Sequence, residues 1–575
     1  MLSLKRFPTL GTLLTLSLVA LLTACAPQSS EDAASDDSAA ATFAPTEAEL
    51  ASAKAINAGG ITEHVLRLSG DAMEGRGPAS EGDRKAREYI AQKLETFGYQ
   101  PAFDTGWDQP FEVVSIEAQS PDTWDFLTAD DTVTMKFWDD FIAGSGVQSE
   151  TAALNGAEVV FVGYGIEAPE YGWNDYKDVD VSGKVLLMLN NDPDWSADLF
   201  EGDRRLYYGR WTYKYEIAAA KGAAGAIIIH TSPSAGYPWQ VVQTSWTGPQ
   251  FELPASPDEP RVQVAAWLTN DAAARLAAAG GQDLEALREA ARSKDFQPVS
   301  LAATTSLYLT NALARVETAN VGGVLPGSDP ELADEAVVYT AHHDHLGIGR
   351  ANDEGDSIYN GARDNAAGTG QLLEVAEAIA ALPERPRRST LILAVGAEEQ
   401  GLLGAKYYAA NPTFHAGRLA ANVNFDAPGI WGRTKDLPLV GFGKSTLDNL
   451  TTRIAEFQGR TVRGEVDPTQ GSYYRSDQFA FAKIGVPALY MAQGTEFLDP
   501  NGPTAEALGE WNRTHYHQPS DEFDITWNLE GAAENAQLGF FVGLTVSNTD
   551  TLPAWNPGDE FEAARKAALA EVAGE

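Results

Sequence analysis

"EAVVYTAHHDHLG", residues 335–347, runs an apolar strand directly into three histidines and an aspartate. The chain has only eight histidines, so three within four positions mark this strand end. After residue 300 the pattern alternates strand and helix. "DNAAGTGQLLEVAEAIAAL" (364–382) reads as a helix with Leu372, Leu373, Val375, Ala376 and Ile379 apolar. "STLILAVGAEE" (389–399), "AANVNFDAPG" (420–429) and "GVPALYMAQ" (485–493) read as further strands. The expected fold class is therefore α/β, a mixed sheet flanked by helices and largely buried. In such sheets ligands bind beyond the carboxyl ends of the strands, and each polar cluster stands at such an end.

Each cluster has its own chemistry. If the two-residue period persists past Ala341, His342 and Asp344 face one way and His343 and His345 the other. A histidine ligand is commonly oriented by a carboxylate on its second ring nitrogen, which suits His342 with Asp344. Asp364, in "YNGARDNAAGTGQLLE" (359–374), reads as a helix N-cap or as a ligand. Glu398 and Glu399 follow a buried strand, where uncompensated carboxylates are costly. One of two such acids can hold a metal while the other takes a proton from water. Asp426 ends another strand, and "NRTHYHQPSDEFD" (512–524) adds His515 and His517. Together these supply enough ligands for two metals sharing an acid.

At 575 residues, two domains are the default expectation. Apolar residues make up 44% and aromatics 10%, ample for packed cores. A net charge of −40 disfavours nucleic acid and anionic lipid head groups as partners and attracts cationic ligands, metal ions included. The first 25 residues have a basic start, an apolar run and the ending "LTAC", which resembles a bacterial lipobox. Cys25 is the only cysteine, so no internal disulfide is possible, and lipid anchoring through it at the cell envelope is expected. Residues 26–45 are small, polar and acidic, as a tether would be.

"ITEHVLRLSGDAMEGRGPASEGDRKAREYIAQKLETFGYQ" (61–100) reads as helix, glycine-rich loop, helix. From about 150 to 300 short apolar strands such as "GAEVVFVGYGI", "GKVLLMLN" and "GAAGAIIIHT" alternate with turns. That region shows no metal-ligand cluster, and His230 reads as a packed or exposed side chain rather than a ligand.

From about 310 to 545 the order and spacing of "AHHDHLG", "GARDNAAGTGQLLE", "GAEEQGLLG", "NVNFDAPG" and "YHQPSDEFD" resemble the zinc aminopeptidases related to aminopeptidase Y and glutamate carboxypeptidase II. The resemblance implies a zinc exopeptidase fold with an inserted, β-rich protease-associated domain. With the signal (1–25) and linker (26–45) read above, the expected segments are 46–145 (N-terminal part of the peptidase), 146–295 (insert), 296–550 (catalytic domain) and 551–575 (C-terminal helix or tail). By the same resemblance His342 and Asp426 would hold one zinc, Glu399 and His517 a second, and Asp364 both. Glu398 would be the general base, Asp344 would orient His342, and Tyr516 would help stabilise the oxyanion. His343 and His345 would not be ligands. Where relatives carry Ser-Asp-His, this chain has "RSDQF" (475–479), with Gln478 in place of the histidine.

The implied activity is removal of N-terminal residues from peptides by an exported, lipid-anchored enzyme. A carboxypeptidase or dipeptidase of the same fold would need basic residues at the pocket, and the sequence offers few beyond Arg475. A one-zinc glutaminyl cyclase would not need five ligands. A non-catalytic binding lipoprotein would not need Glu398.

Overall fold

In the computed structural model the strand Ala336–His342 lies between two parallel neighbours, Ser389–Val395 and Leu419–Asn424. The structure describes residues 43–197 and 199–574. Leu419–Asn424 also pairs parallel to Ala488–Met491, and antiparallel pairings close the centre on both sides, at Val321–Leu325 and at Leu439–Val440. Every residue of the three central strands is buried. Their side chains divide between two faces. Val337, Tyr339 and Ala341 join Leu372, Leu373, Val375 and Phe540 in one apolar cluster, while Ala336 and Val338 join Ala405, Tyr408 and Phe481 in another. This two-sided burial is why the strands read as apolar without alternation. Each fully buried Leu or Val contributes roughly 1.5–3 kcal/mol.

The helix Glu530–Asn548 lies tight on the sheet. A Cβ at Gly543 would come within 1.9 Å of the Tyr339 hydroxyl, so Gly543→Ala would force that helix off the sheet.

One 27-residue strand, Val299–Leu325, connects this sheet to a second region. Its end pairs with Ser389–Val395, its middle with Asp108–Gln119, and its start with Thr151–Phe161. From Thr151–Phe161 the parallel pairing continues through Val185–Leu189 and Gly225–His230 to Val264–Thr269. The second region has its own core of Trp124, Phe126, Phe141, Phe161, Leu187, Ile227, Leu268 and Leu309. That core differs from the expected insert of 146–295 at both ends. Phe141–Ser145 pairs with Val264–Thr269, so packing joins residues on either side of position 145. The change of texture near residue 150 is a change in strand spacing, and the hairpin before it already belongs to the same core.

The first described helix, Glu47–Ala55, is capped by Thr46 in a reciprocal capping box with Glu49. Phe43 packs edge-on against Phe457 and Phe541. The expected signal segment, Cys25 and residues 26–42 of the expected linker lie outside the described residues. Among the described residues no helix is long and apolar enough to cross a membrane. The chain closes with the helix Glu562–Ala573.

Candidate metal centre

The candidate residues stand where the parallel strands end. His342 is the last residue of its strand. The turn after Ser389–Val395 is closed by the Leu402 N–H donating to Glu398 O (2.7 Å) and the Gly404 N–H to Gly396 O (2.9 Å). A Cβ at Gly404 would lie 2.4 Å from Gly396 O, so only glycine permits this closure. The turn is tied to the neighbouring strand by Asp344, whose carboxylate accepts the N–H groups of Glu398 (3.0 Å) and Glu399 (3.4 Å). Asp364 occupies a one-turn segment, Ala362–Ala367, ahead of the helix Gly368–Ala380. Its N–H and that of Arg363 donate to the two carboxylate oxygens of Asp521, at 3.1 and 3.0 Å.

Two histidines face a shared set of acids. His342 Nε2 lies 3.3 Å from Asp364 Oδ1, 3.4 Å from Asp426 Oδ1 and 4.0 Å from Glu398 Oε2. His517 Nε2 lies 2.9 Å from Glu399 Oε2 and 3.4 Å from Asp364 Oδ2. Ligand-type atoms of His342, Glu398 and Asp426 lie within 4.8 Å of one another, as do those of His342, Asp364 and Glu399. The Nε2 atoms of His342 and His517 are both buried without a hydrogen-bond partner. Four acids and two unpartnered imidazole nitrogens in one buried pocket fit bound divalent cations. Such a charge cluster is otherwise strongly unfavourable.

The electrostatics separate the two adjacent glutamates. Burial pushes Glu398 well above the ordinary carboxylate range; His342 opposes this, and Glu399, Asp477 and Asp426 add to it. Burial also raises Glu399, but His517 and His345 outweigh it and hold its carboxyl down at about 2. Burial pushes the Tyr516 hydroxyl far up, so it stays neutral. Its oxygen accepts from Arg475 Nη2 at 3.2 Å, and its ring stacks on His517 with centroids 3.9 Å apart.

Several details depart from the sequence reading. The strand stops at His342, so the alternation does not carry His345 away from the centre. His345 Nδ1 lies 2.6 Å from Glu399 Oε1, while His343 turns to Asp83 at 3.0 Å. The nearest partner of His342 Nδ1 is the main-chain oxygen of Asp344 (3.3 Å), with that residue's carboxylate at 3.8 Å. Gln478 is fully buried, accepting from Asn424 Nδ2 and donating to Tyr473 O. Beside it Asp477 is fully buried, and neither carboxylate oxygen has a hydrogen-bond partner.

The second region reaches the centre. Ser245, at the end of the helix Trp239–Ser245, places its Oγ 2.9 Å from His517 Nδ1. Thr244 donates to His517 O at 3.3 Å. These contacts steady a residue whose φ of 57° lies in the left-handed region, disfavoured for all but glycine. Arg205 and Arg210 of the second region lie close enough for their charges and that of Arg475 to act on one another.

Residues 320–541 match the family model described as Peptidase family M28. That segment, less than half of the chain, is similar to this family. The M28 segment contains every candidate ligand, Glu398 and Tyr516; Ser245, Arg205 and Arg210 lie outside it. Aminopeptidase YwaD of Bacillus subtilis (strain 168) is 27% identical over 197 residues, covering 33% of this chain and 36% of the relative. A probable zinc metalloprotease of Leptosphaeria maculans is 34% identical over 219 residues, covering 36% of this chain and 48% of the relative. The chain thus spans less than half the length of these relatives. The fold of the M28 segment and its surroundings resembles the aminopeptidase from Aneurinibacillus sp. strain AM-1. That likeness has a TM-score of 0.52 and 18% identity, and covers 88% of this chain and 97% of that one.

Proposed function

We propose that this chain is a two-zinc exopeptidase that removes N-terminal residues from peptides. The observation that carries the reading is the position of Asp364, one oxygen towards each of His342 and His517. In this reading His342 and Asp426 hold one ion, Glu399 and His517 the other, and Asp364 both. The zinc assignment draws on the name of the Leptosphaeria relative, and N-terminal specificity on that of the Bacillus relative.

Two divalent cations held there would polarise the scissile carbonyl and acidify a water beside it. Glu398 takes a proton from the attacking water and returns it to the nitrogen of the breaking C–N bond. Tyr516, neutral and with its oxygen already bonded by Arg475, has its own proton free to donate to the oxyanion. Asp344, His345, Asp521 and Ser245 orient the glutamates, Asp364 and His517.

Leucine arylamide cleavage by the purified full chain, lost on chelation and restored by zinc, tests the reading. Cleavage that survives exhaustive chelation rules it out. We further propose that the chain is exported and lipid-anchored through Cys25. Labelling with a fatty-acid analogue should depend on that cysteine, and equal labelling of Cys25→Ser would exclude the anchor.

A further inference from the structure

The strand that leads to Asp426 ends two residues before it, at Asn424. The Phe425 N–H still donates to Thr340 O of the neighbouring strand at 2.9 Å, and beyond it the chain leaves the sheet. Ala427 then takes a φ of 42°, a left-handed conformation that an alanine holds only where its surroundings impose it. Asp426 thus stands at a bend that the sheet does not fix. Its carboxylate nevertheless comes within 3.4 Å of His342 Nε2.

The bend is held by the two residues that flank Asp364. Asn365, fully buried, donates from Nδ2 to Phe425 O at 3.0 Å and accepts the Ala427 N–H at Oδ1, at 3.1 Å. One side-chain amide therefore spans Asp426 and grips the main chain on either side of it. The same Oδ1 accepts the Gly368 N–H at 3.0 Å. A Cβ at Gly368 would fall 2.0 Å from Asn365 Oδ1 and 2.6 Å from Phe425 O, so a glycine is what lets the three segments meet. Arg363 continues the hold, donating from Nη2 to Ala427 O at 3.1 Å and from Nε to Pro428 O at 3.0 Å. Its guanidinium is fixed in turn by Asn512 Oδ1 at 2.9 Å and by the rings of Trp431 and Trp511, with centroids 5.5 and 5.1 Å away.

Both side-chain types are required by these contacts. Only an amide both donates and accepts from one planar group, and only a guanidinium presents a rigid fork to two successive carbonyls. The other half of the centre rests on different supports. Glu399 is held by Asp344 and His345, and His517 by Ser245 and Thr244. Asp364 keeps its own main-chain bond to Asp521.

We infer that Arg363 and Asn365 are positioning residues for Asp426, tying its bend to the turn of Asp364 and so setting the His342–Asp426 half of the centre alone. The inference rests on the two-zinc reading and deepens it. A ligand that the sheet leaves loose is registered against the shared ligand by that ligand's own neighbours in sequence.

Zinc-buffered titration of the full chain, resolving two dissociation constants, tests this. Asp426→Ala identifies the constant that belongs to the His342–Asp426 site. Asn365→Ala and Arg363→Met should each weaken that constant at least about tenfold and leave the other unchanged, the usual scale for losing a residue that orients a ligand. Arg363→Lys, which keeps the charge and loses the fork, should fall between Arg363→Met and the wild type. Added to Asp426→Ala, Asn365→Ala should cause no further loss at that site, because the ligand it positions is already gone. Equal weakening of both constants, or a lower unfolding temperature with both constants unchanged, overturns the inference and leaves the two-zinc reading intact. Failure of all three single variants at 363 and 365 to fold also overturns it, since a pair that only positions Asp426 is dispensable for folding. A single zinc in the wild-type chain overturns the two-zinc reading and this inference with it.

Discussion

Asp364 Oδ1 lies 3.3 Å from His342 Nε2, and its Oδ2 lies 3.4 Å from His517 Nε2. The two histidines are far apart in the chain, one ending a central strand and the other following the helix Ala505–His515. A single carboxylate between two unpartnered imidazole nitrogens is the arrangement a shared ligand requires. The placement depends on Asp521, whose two oxygens take the N–H groups of Arg363 and Asp364.

Asp521→Ala leaves those two N–H groups buried without acceptors, at about 1–3 kcal/mol each. It also frees the turn that carries Asp364. The expected result is a lower unfolding temperature together with zinc content below that of the wild type. Wild-type zinc content would show that Asp364 is positioned by other contacts.

Glu398→Gln keeps the size of the side chain and removes the proton acceptor. Zinc content should stay near normal while kcat falls by at least about 10²-fold, the usual scale for losing a general base. Single-turnover kinetics at saturating leucine arylamide measure this directly. Near-normal kcat places the base elsewhere.

Ser245→Ala removes the hydrogen bond to His517 Nδ1 from the second region. Losing such a partner typically weakens metal affinity or activity 10–100-fold. Zinc-buffered titrations should show a shift of about tenfold. An unchanged affinity means that the second region merely adjoins the centre.

His230 supplies a pH signature for the second region. Burial pulls it from 6.5 down to about 4, against a hydrogen bond to Tyr237 O that raises it. Above pH 6.5 neither the folded nor the unfolded chain protonates it. Between pH 6.5 and 4 only the unfolded chain does, so stability falls as pH falls through that window, by roughly 3 kcal/mol in all. Denaturant titrations at several pH values should show a shallower decline for His230→Gln. Parallel curves for the two proteins would refute the assignment.

His342, Asp344, Glu398, Glu399 and Asp426 were legible in sequence because each ends or follows an apolar strand, and buried parallel strands deliver their carboxyl ends to one place. Asp344, Glu398, Glu399 and Asp426 therefore meet as their positions suggest. What escaped notice depends on contacts that no local pattern encodes. Ser245 and His517 are separated by 272 positions and meet only because the strand Val299–Leu325 carries the second region up to the sheet. Arg205 and Arg210 sit in a tyrosine-rich stretch whose texture is that of a packed loop. His345 was misplaced by extending a strand period beyond the strand's last residue. The start of the second region's core at Trp124 was hidden because the hairpin Thr123–Lys136 looks like the strands on either side of it.

The most direct test is the metal content of the purified wild-type chain and of Asp364→Ala, measured by elemental analysis after equilibration with zinc. The account predicts two zinc ions per wild-type chain and loss of both sites' tight binding in the variant, because one carboxylate serves each histidine. One ion per wild-type chain, or two retained by Asp364→Ala, would contradict it.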